Sequence, residues 1–166
     1  YETFAHFFNK KGYIVYADDH RGHGHSLTEE EVFGYIGENG FQKIVKDEHV
    51  ISELIKKKYP QLPLFIFAHS FGSFIGQEYI IQKNKKIDGL ILSGSAKQNG
   101  LDVKMGRILA TFQNIVFDDK KEAKLIDQLS FGSFNKKFKN QQPTSSWLTR
   151  DAKIVAQYEK DKLSGF

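Results

Sequence analysis

The stretch from Leu62 to Gly76 constrains the fold more than any other part of the chain. Pro63 sets a strand entrance, and Leu64-Phe65-Ile66-Phe67 follows as an unbroken apolar run. Such a run suits a strand covered on both faces, as in a parallel sheet. Ala68-His69-Ser70-Phe71-Gly72 comes next, and Phe74 to Ile81 carries helical periodicity. A strand, a serine between small flanks and then a helix describe a sharp turn that holds its serine in a strained backbone conformation. Ala68 and Gly72 are the small flanks that let strand and helix nearly touch, and Gly76 continues the smooth face. The turn would expose the Ser70 hydroxyl and set the Phe71 N–H at a helix start, where a backbone donor can hold a developing oxyanion. The residues alone leave two readings of Ser70 open, a nucleophile or an ordinary helix N-cap.

The order of elements points to an α/β class. Phe4, Phe7 and Phe8 lie at helical spacing over residues 2 to 11, and Gly12 provides a C-terminal stop. Tyr13 to Ala17 reads as a short strand, followed by a polar loop from Asp18 to Ser26 and irregular chain over 27 to 40. Asn39 is placed to cap a helix whose apolar stripe is Phe41, Ile44, Val45, Ile51, Leu54 and Ile55, ending at Tyr59-Pro60. After the serine turn, Ile87 to Leu92 gives a third strand. Strands separated by helices predict a parallel sheet with flanking helices. Residues 1–95 therefore read as a core. Residues 96–166 read as a mostly helical cap, with helices near 103 to 113, 121 to 129 and 151 to 159 and aromatic-rich loops over the sheet's carboxyl edge.

Composition narrows the function classes. A chain of 166 residues is one domain by length, and its 40% hydrophobic and 27% charged residues are those of a soluble globular protein. With no cysteine, neither a disulfide framework nor a thiolate metal site is available. The net charge of +4 comes from lysine runs such as Lys56 to Lys58, which read as a solvated surface, so no nucleic-acid partner is expected. No stretch approaches a membrane span and no signal peptide is visible; a cytoplasmic location with at most transient contact with a membrane surface is expected. His20, His23 and His25 with Asp18 and Asp19 invite a metal reading, but the glycines between them favour a hydrogen-bonded turn, so no metal and no cofactor is expected. His69 is expected to pack inside the turn, too close to Ser70 in sequence to serve as its base.

Several segments together carry a resemblance. Asp18-Asp19-His20-Arg21-Gly22-His23-Gly24-His25-Ser26, the turn Ala68-His69-Ser70-Phe71-Gly72-Ser73, the strand Ile87 to Gly94, and Trp147-Leu148-Thr149-Arg150-Asp151 occur in the order found in α/β-hydrolases. They most resemble the lysophospholipase and monoacylglycerol lipase group, with Ala68 in place of the first elbow glycine. The resemblance implies a partial α/β-hydrolase fold and a serine ester hydrolase acting through an acyl-enzyme on a small acyl ester or lysolipid. It makes Ser70 the nucleophile, Phe71 an oxyanion-hole donor, and Ala68, His69 and Gly72 the elbow. It also puts the oxyanion loop before Tyr1 and the acid and base histidine after Phe166. The chain is then expected to be the middle of a longer hydrolase, inactive alone and prone to self-association through open sheet edges. The other reading is a non-catalytic remnant serving as a binding or structural module.

Overall fold

The structure, a computed structural model, describes residues 1–27, 33–82, 87–96, 145–161 and 163. Its first helix, α1 (Glu2–Asn9), ends where Gly12 takes a φ of 87°. There the Tyr13 N–H reaches Phe8 O at 3.2 Å and the Gly12 N–H reaches Asn9 O at 3.0 Å. These two bonds form a Schellman motif, which satisfies carbonyls that the helix end would leave orphaned.

Tyr13 to Ala17 is the first departure from expectation. The segment runs extended but has no ladder partner among the described residues, and Tyr13, Ile14 and Tyr16 are exposed. Apolar, β-favouring composition gives a strand only where a neighbouring strand supplies the hydrogen bonds. A short 3-10 turn (Gly24–Ser26) follows, and then α2 (Gly40–Lys58).

Asn39 does stand at the N-cap of α2, in a left-handed conformation with φ 53° and ψ 31°, but its side chain makes no cap hydrogen bond. The α2 stripe is as predicted at Ile44 and Val45, which are buried, whereas Leu54 is exposed. Lys56, Lys57 and Lys58 close the last turn, where cations complement the helix dipole.

Two strands, β1 (Phe65–His69) and β2 (Gly89–Ser93), pair in parallel with Phe65 opposite Gly89 and His69 opposite Ser93. The helix between them is α3 (Phe71–Ile81), so the strand–helix–strand order predicted for this stretch is present, its strands shifted one or two residues toward the C-terminus and its helix beginning three residues earlier. Asp88 helps fasten the entrance. Its N–H donates to Leu64 O at 2.7 Å, and its carboxylate accepts from the Leu64 N–H at 2.7 Å.

The core lies between the sheet, α2 and α3. Ile44, Val45, Ile75 and Tyr79 are buried there, with Ile36, Phe41, Ile66 and Ile87 packed around them. Each such side chain stabilises the fold by about 1.5–3 kcal/mol relative to exposure. Because side chains alternate along a strand, Ile66 and Ala68 face this core while Phe65 and Phe67 face the other way. That second face is only thinly covered. Phe4 of α1 stacks on Phe67 with ring centroids 4.9 Å apart, yet Phe65 and Phe67 remain 52% and 43% exposed. The expectation of a strand covered on both faces is corrected accordingly.

The last described helix, α4 (Ala152–Lys160), matches the helix predicted over 151 to 159. It starts at Asp151, whose carboxylate accepts from the Lys153 N–H at 2.9 Å, the short-range cap preferred at this position. The helices predicted near 103 to 113 and 121 to 129 lie outside the described residues.

Candidate active site

The turn between β1 and α3 has the geometry that its small residues imply. Ser70 adopts φ 52° and ψ −121°, one of two non-glycine residues with positive φ among the described residues. An L-residue held there costs on the order of 1–3 kcal/mol, and such strain concentrates at functional sites. Ser70 is exposed, and its hydroxyl does not cap α3 although it occupies the N-cap position. An N-cap serine ordinarily has extended backbone and uses its oxygen on the helix N–H groups. This serine does neither.

The neighbours divide into those that fit the predicted elbow and those that need correction. Phe71 opens α3, so its N–H belongs to the first turn, where backbone donors have no partner within the helix. Ala68 is buried, and a Cβ at Gly76 would come 3.1 Å from Ala68 Cβ and 3.1 Å from Leu90 Cδ1. The close approach of helix and sheet is therefore made at Ala68 and Gly76. A Cβ at Gly72 would meet nothing within 4 Å, so in the described structure Gly72 is not a contact point. His69 is exposed rather than packed, with Nδ1 3.1 Å from Ser93 Oγ. Ser93 was not singled out from the sequence as part of the turn. Its place opposite His69 follows only from the strand register.

The histidine-rich loop resolves into separate contacts. Asp19 organises the turn, accepting from the His25 N–H at 2.9 Å and, at its carbonyl, from the Ser26 hydroxyl. Gly24, with φ 51°, lies where any Cβ would fall on the Asp19 carboxylate. Arg21 binds Asp47 of α2 through a two-pronged pair, Nε to Oδ2 and Nη2 to Oδ1, each at 2.8 Å. His23 Nδ1 lies 3.0 Å from Arg21 O. Of the three loop histidines, His20 alone joins a cluster, with Asp18 and with Glu48 from α2.

The Asp18–His20–Glu48 cluster has distinctive electrostatics. His20 Nδ1 is 3.1 Å from Asp18 Oδ2 and 3.4 Å from Glu48 Oε1. The second contact lacks hydrogen-bond geometry, and Glu48 Oε1 is a buried oxygen without a hydrogen-bond partner. The bond to Asp18 raises the pKa of His20 and lowers that of Asp18. Burial, followed by the nearby Asp18 charge, pushes Glu48 up to about 7. The three candidate ligand atoms lie within 4.8 Å of one another, a spacing that a divalent cation could fit. An ion binding there would have to displace the protons that the raised pKa values of His20 and Glu48 favour. Glu48 and Asp47 escaped the sequence reading because they sit on a helix more than twenty residues beyond the loop. Adjacent acids on the helix that follows a basic loop were the available signal.

Comparison with known proteins settles the family. The model described as serine aminopeptidase, S33 matches residues 1–165. The chain belongs to that family, within the α/β-hydrolases. Among family relatives, monoglyceride lipase of Mus musculus is 33% identical over 94 residues, covering 55% of this chain and 29% of the relative. Monoacylglycerol lipase of Mycolicibacterium smegmatis is 29% identical over 96 residues, covering 58% of this chain and 32% of the relative. A highly thermostable carboxyl esterase from Bacillus coagulans, solved in complex with glycerol, superposes with a TM-score of 0.84 at 28% identity. That match covers 100% of this chain and 53% of the esterase, so the S33-family chain spans about half of the esterase's length. The α/β-hydrolase fold inferred from the loop, the turn and the β2 segment is thereby established. Among the described residues, no helix is long and apolar enough to cross a membrane.

Proposed function

We propose that the protein carrying this chain is a serine ester hydrolase of the monoacylglycerol lipase or carboxylesterase type, with Ser70 as its nucleophile. The observation that carries this reading is the strained, exposed Ser70, whose hydroxyl is withheld from capping the helix it begins. Relatives named as monoglyceride lipases and a structural neighbour named as a carboxyl esterase support the choice of an ester substrate.

In the proposed reaction, Ser70 Oγ attacks the ester carbonyl carbon as its proton passes to a general base. The Phe71 N–H supplies half of the oxyanion hole, the alcohol leaves with a proton, and water then releases the acid from the acyl-enzyme. A serine hydroxyl needs that base near neutral pH. The nearest imidazole in sequence, His69, is directed to Ser93 instead. The base and its acid partner are assigned to residues outside those described, and the cap over 96–166 is assigned the shelter for the acyl chain.

Ser70→Ala in the intact protein should abolish fluorophosphonate labelling and lower ester turnover by at least about 10⁴-fold. Labelling that survives the substitution would remove Ser70 from the chemistry and favour the alternative of a non-catalytic binding or structural module.

A further inference from the structure

The strained backbone of Ser70 needs something to hold it, and the residues at the end of β2 make three contacts around it. The Ser70 N–H donates to Ser93 O at 2.9 Å, one bond beyond the regular ladder. On the residue before it, His69 Nδ1 lies 3.1 Å from Ser93 Oγ. In the second turn of α3, Gln77 Nε2 donates to Ser95 Oγ at 2.9 Å. Between the two serines Gly94 takes a φ of 60°, and a Cβ there would stand 3.4 Å from His69 Cε1 and 3.8 Å from Ser70 N. The same short segment thus touches the strand side of the turn, its apex and its helix side.

We propose that Ser93 is a positioning residue for Ser70, and that Ser93-Gly94-Ser95 forms a three-point clasp which fixes the direction of the nucleophile's hydroxyl. The inference rests on the reading of Ser70 given above. Its physical basis is that a backbone in a sparsely populated conformation persists only when its surroundings over-determine it. The Ser93 carbonyl pins the His69–Ser70 peptide plane to β2 through the Ser70 N–H, a single tie at the rim of the ladder. The Ser93 hydroxyl adds a second tie through the His69 imidazole, and Gly94 allows the chain to turn closely enough for Ser95 to reach α3. Small errors in the placement of a nucleophile are amplified in rate, since a displacement of about 1 Å can cost on the order of 10²-fold.

The test uses the intact protein and compares Ser93→Ala, Ser93→Thr and Ser70→Ala by fluorophosphonate labelling rate and by kcat and KM on a monoacyl ester. Ser93→Ala should lower the labelling rate and kcat by about 10-fold with KM changed less than about 2-fold, because orientation and not substrate binding is lost. Ser93→Thr, which keeps the hydroxyl, should restore both. If Ser93→Ala labels at the wild-type rate while Ser70→Ala is inert, the clasp is refuted and the nucleophile stands. If Ser70→Ala still labels, the nucleophile reading itself has failed. Should Ser93→Ala not fold, Gln77→Ala at the helix surface decides in its place. A slower labelling rate supports the clasp, and an unchanged one overturns it.

Discussion

Glu48 is the residue whose behaviour the structure changes most. Its carboxyl is held up to about 7 by burial and by the Asp18 charge, from an ordinary value of 4.5. A folded-state pKa raised above the unfolded one means that the native chain binds more protons between those values, so stability falls as pH rises from about 4.5 through 7. His20, raised by its bond to Asp18, pulls in the same direction, whereas the lowered Asp18 contributes stability that is lost only toward strongly acid pH. Glu48→Gln should therefore flatten the decline, gaining on the order of 2 kcal/mol over wild type at pH 8 and little at pH 5. Thermal unfolding at the two pH values measures this, and an equal pH loss in both proteins would exclude Glu48 as its source. At this scale the sequence was uneven in what it revealed. Ser70 was legible because strand, small residues and helix are contiguous. The partners of His20 and His69 were not, because Glu48 and Ser93 reach them across the fold.

At the scale of elements, the contact between α3 and the sheet is set by one glycine. A Cβ at Gly76 meets Ala68 and Leu90 at 3.1 Å each, close enough that a neighbour must give slightly, and a branched side chain would force the layers apart. Gly76→Val should destabilise by about 1–3 kcal/mol, the usual cost of overpacking. Gly72→Ala should be neutral or stabilising by up to about 1 kcal/mol in this chain, since its Cβ meets open space and alanine is the better helix former. Denaturant midpoints would separate the two, and a Gly72→Ala loss as large as that of Gly76→Val would restore Gly72 as a packing point. The serine-turn unit was readable because its periods change cleanly from strand to helix. Tyr13 to Ala17 runs extended as its composition predicts, yet it has no ladder partner among the described residues. Local composition states a preference for extended chain, but a strand also needs a partner, and no window of sequence contains that information. Asn39 illustrates the same gap, since it occupies the predicted position without making the predicted bond.

For the whole molecule, the two sheet faces are unequal. The α2–α3 side is packed, whereas Phe65, Phe67 and Ile91 share a face on which Ile91 is 56% exposed and α1 offers only partial cover. The outer edges of β1 and β2 also lack ladder partners among the described residues. An open apolar face combined with open strand edges favours association. The 166-residue chain should sediment as concentration-dependent oligomers at micromolar concentration, and Phe65→Lys with Ile91→Lys should shift it toward monomer. A monodisperse wild-type monomer would contradict this. The fold class was legible from the alternation of elements, but this asymmetry was not. Phe65 and Phe67 look the same in a sequence whether or not a layer lies over them.

The bond from the Ser70 N–H to Ser93 O lies past the last paired residues of the ladder, at the rim where strands fray first. Releasing it would let Ser70 relax to an ordinary backbone with the core around Tyr79 intact. On the proposed reading of Ser70, the intact hydrolase would fall silent before it melts, its turnover failing at a denaturant dose that spectroscopy still scores as native.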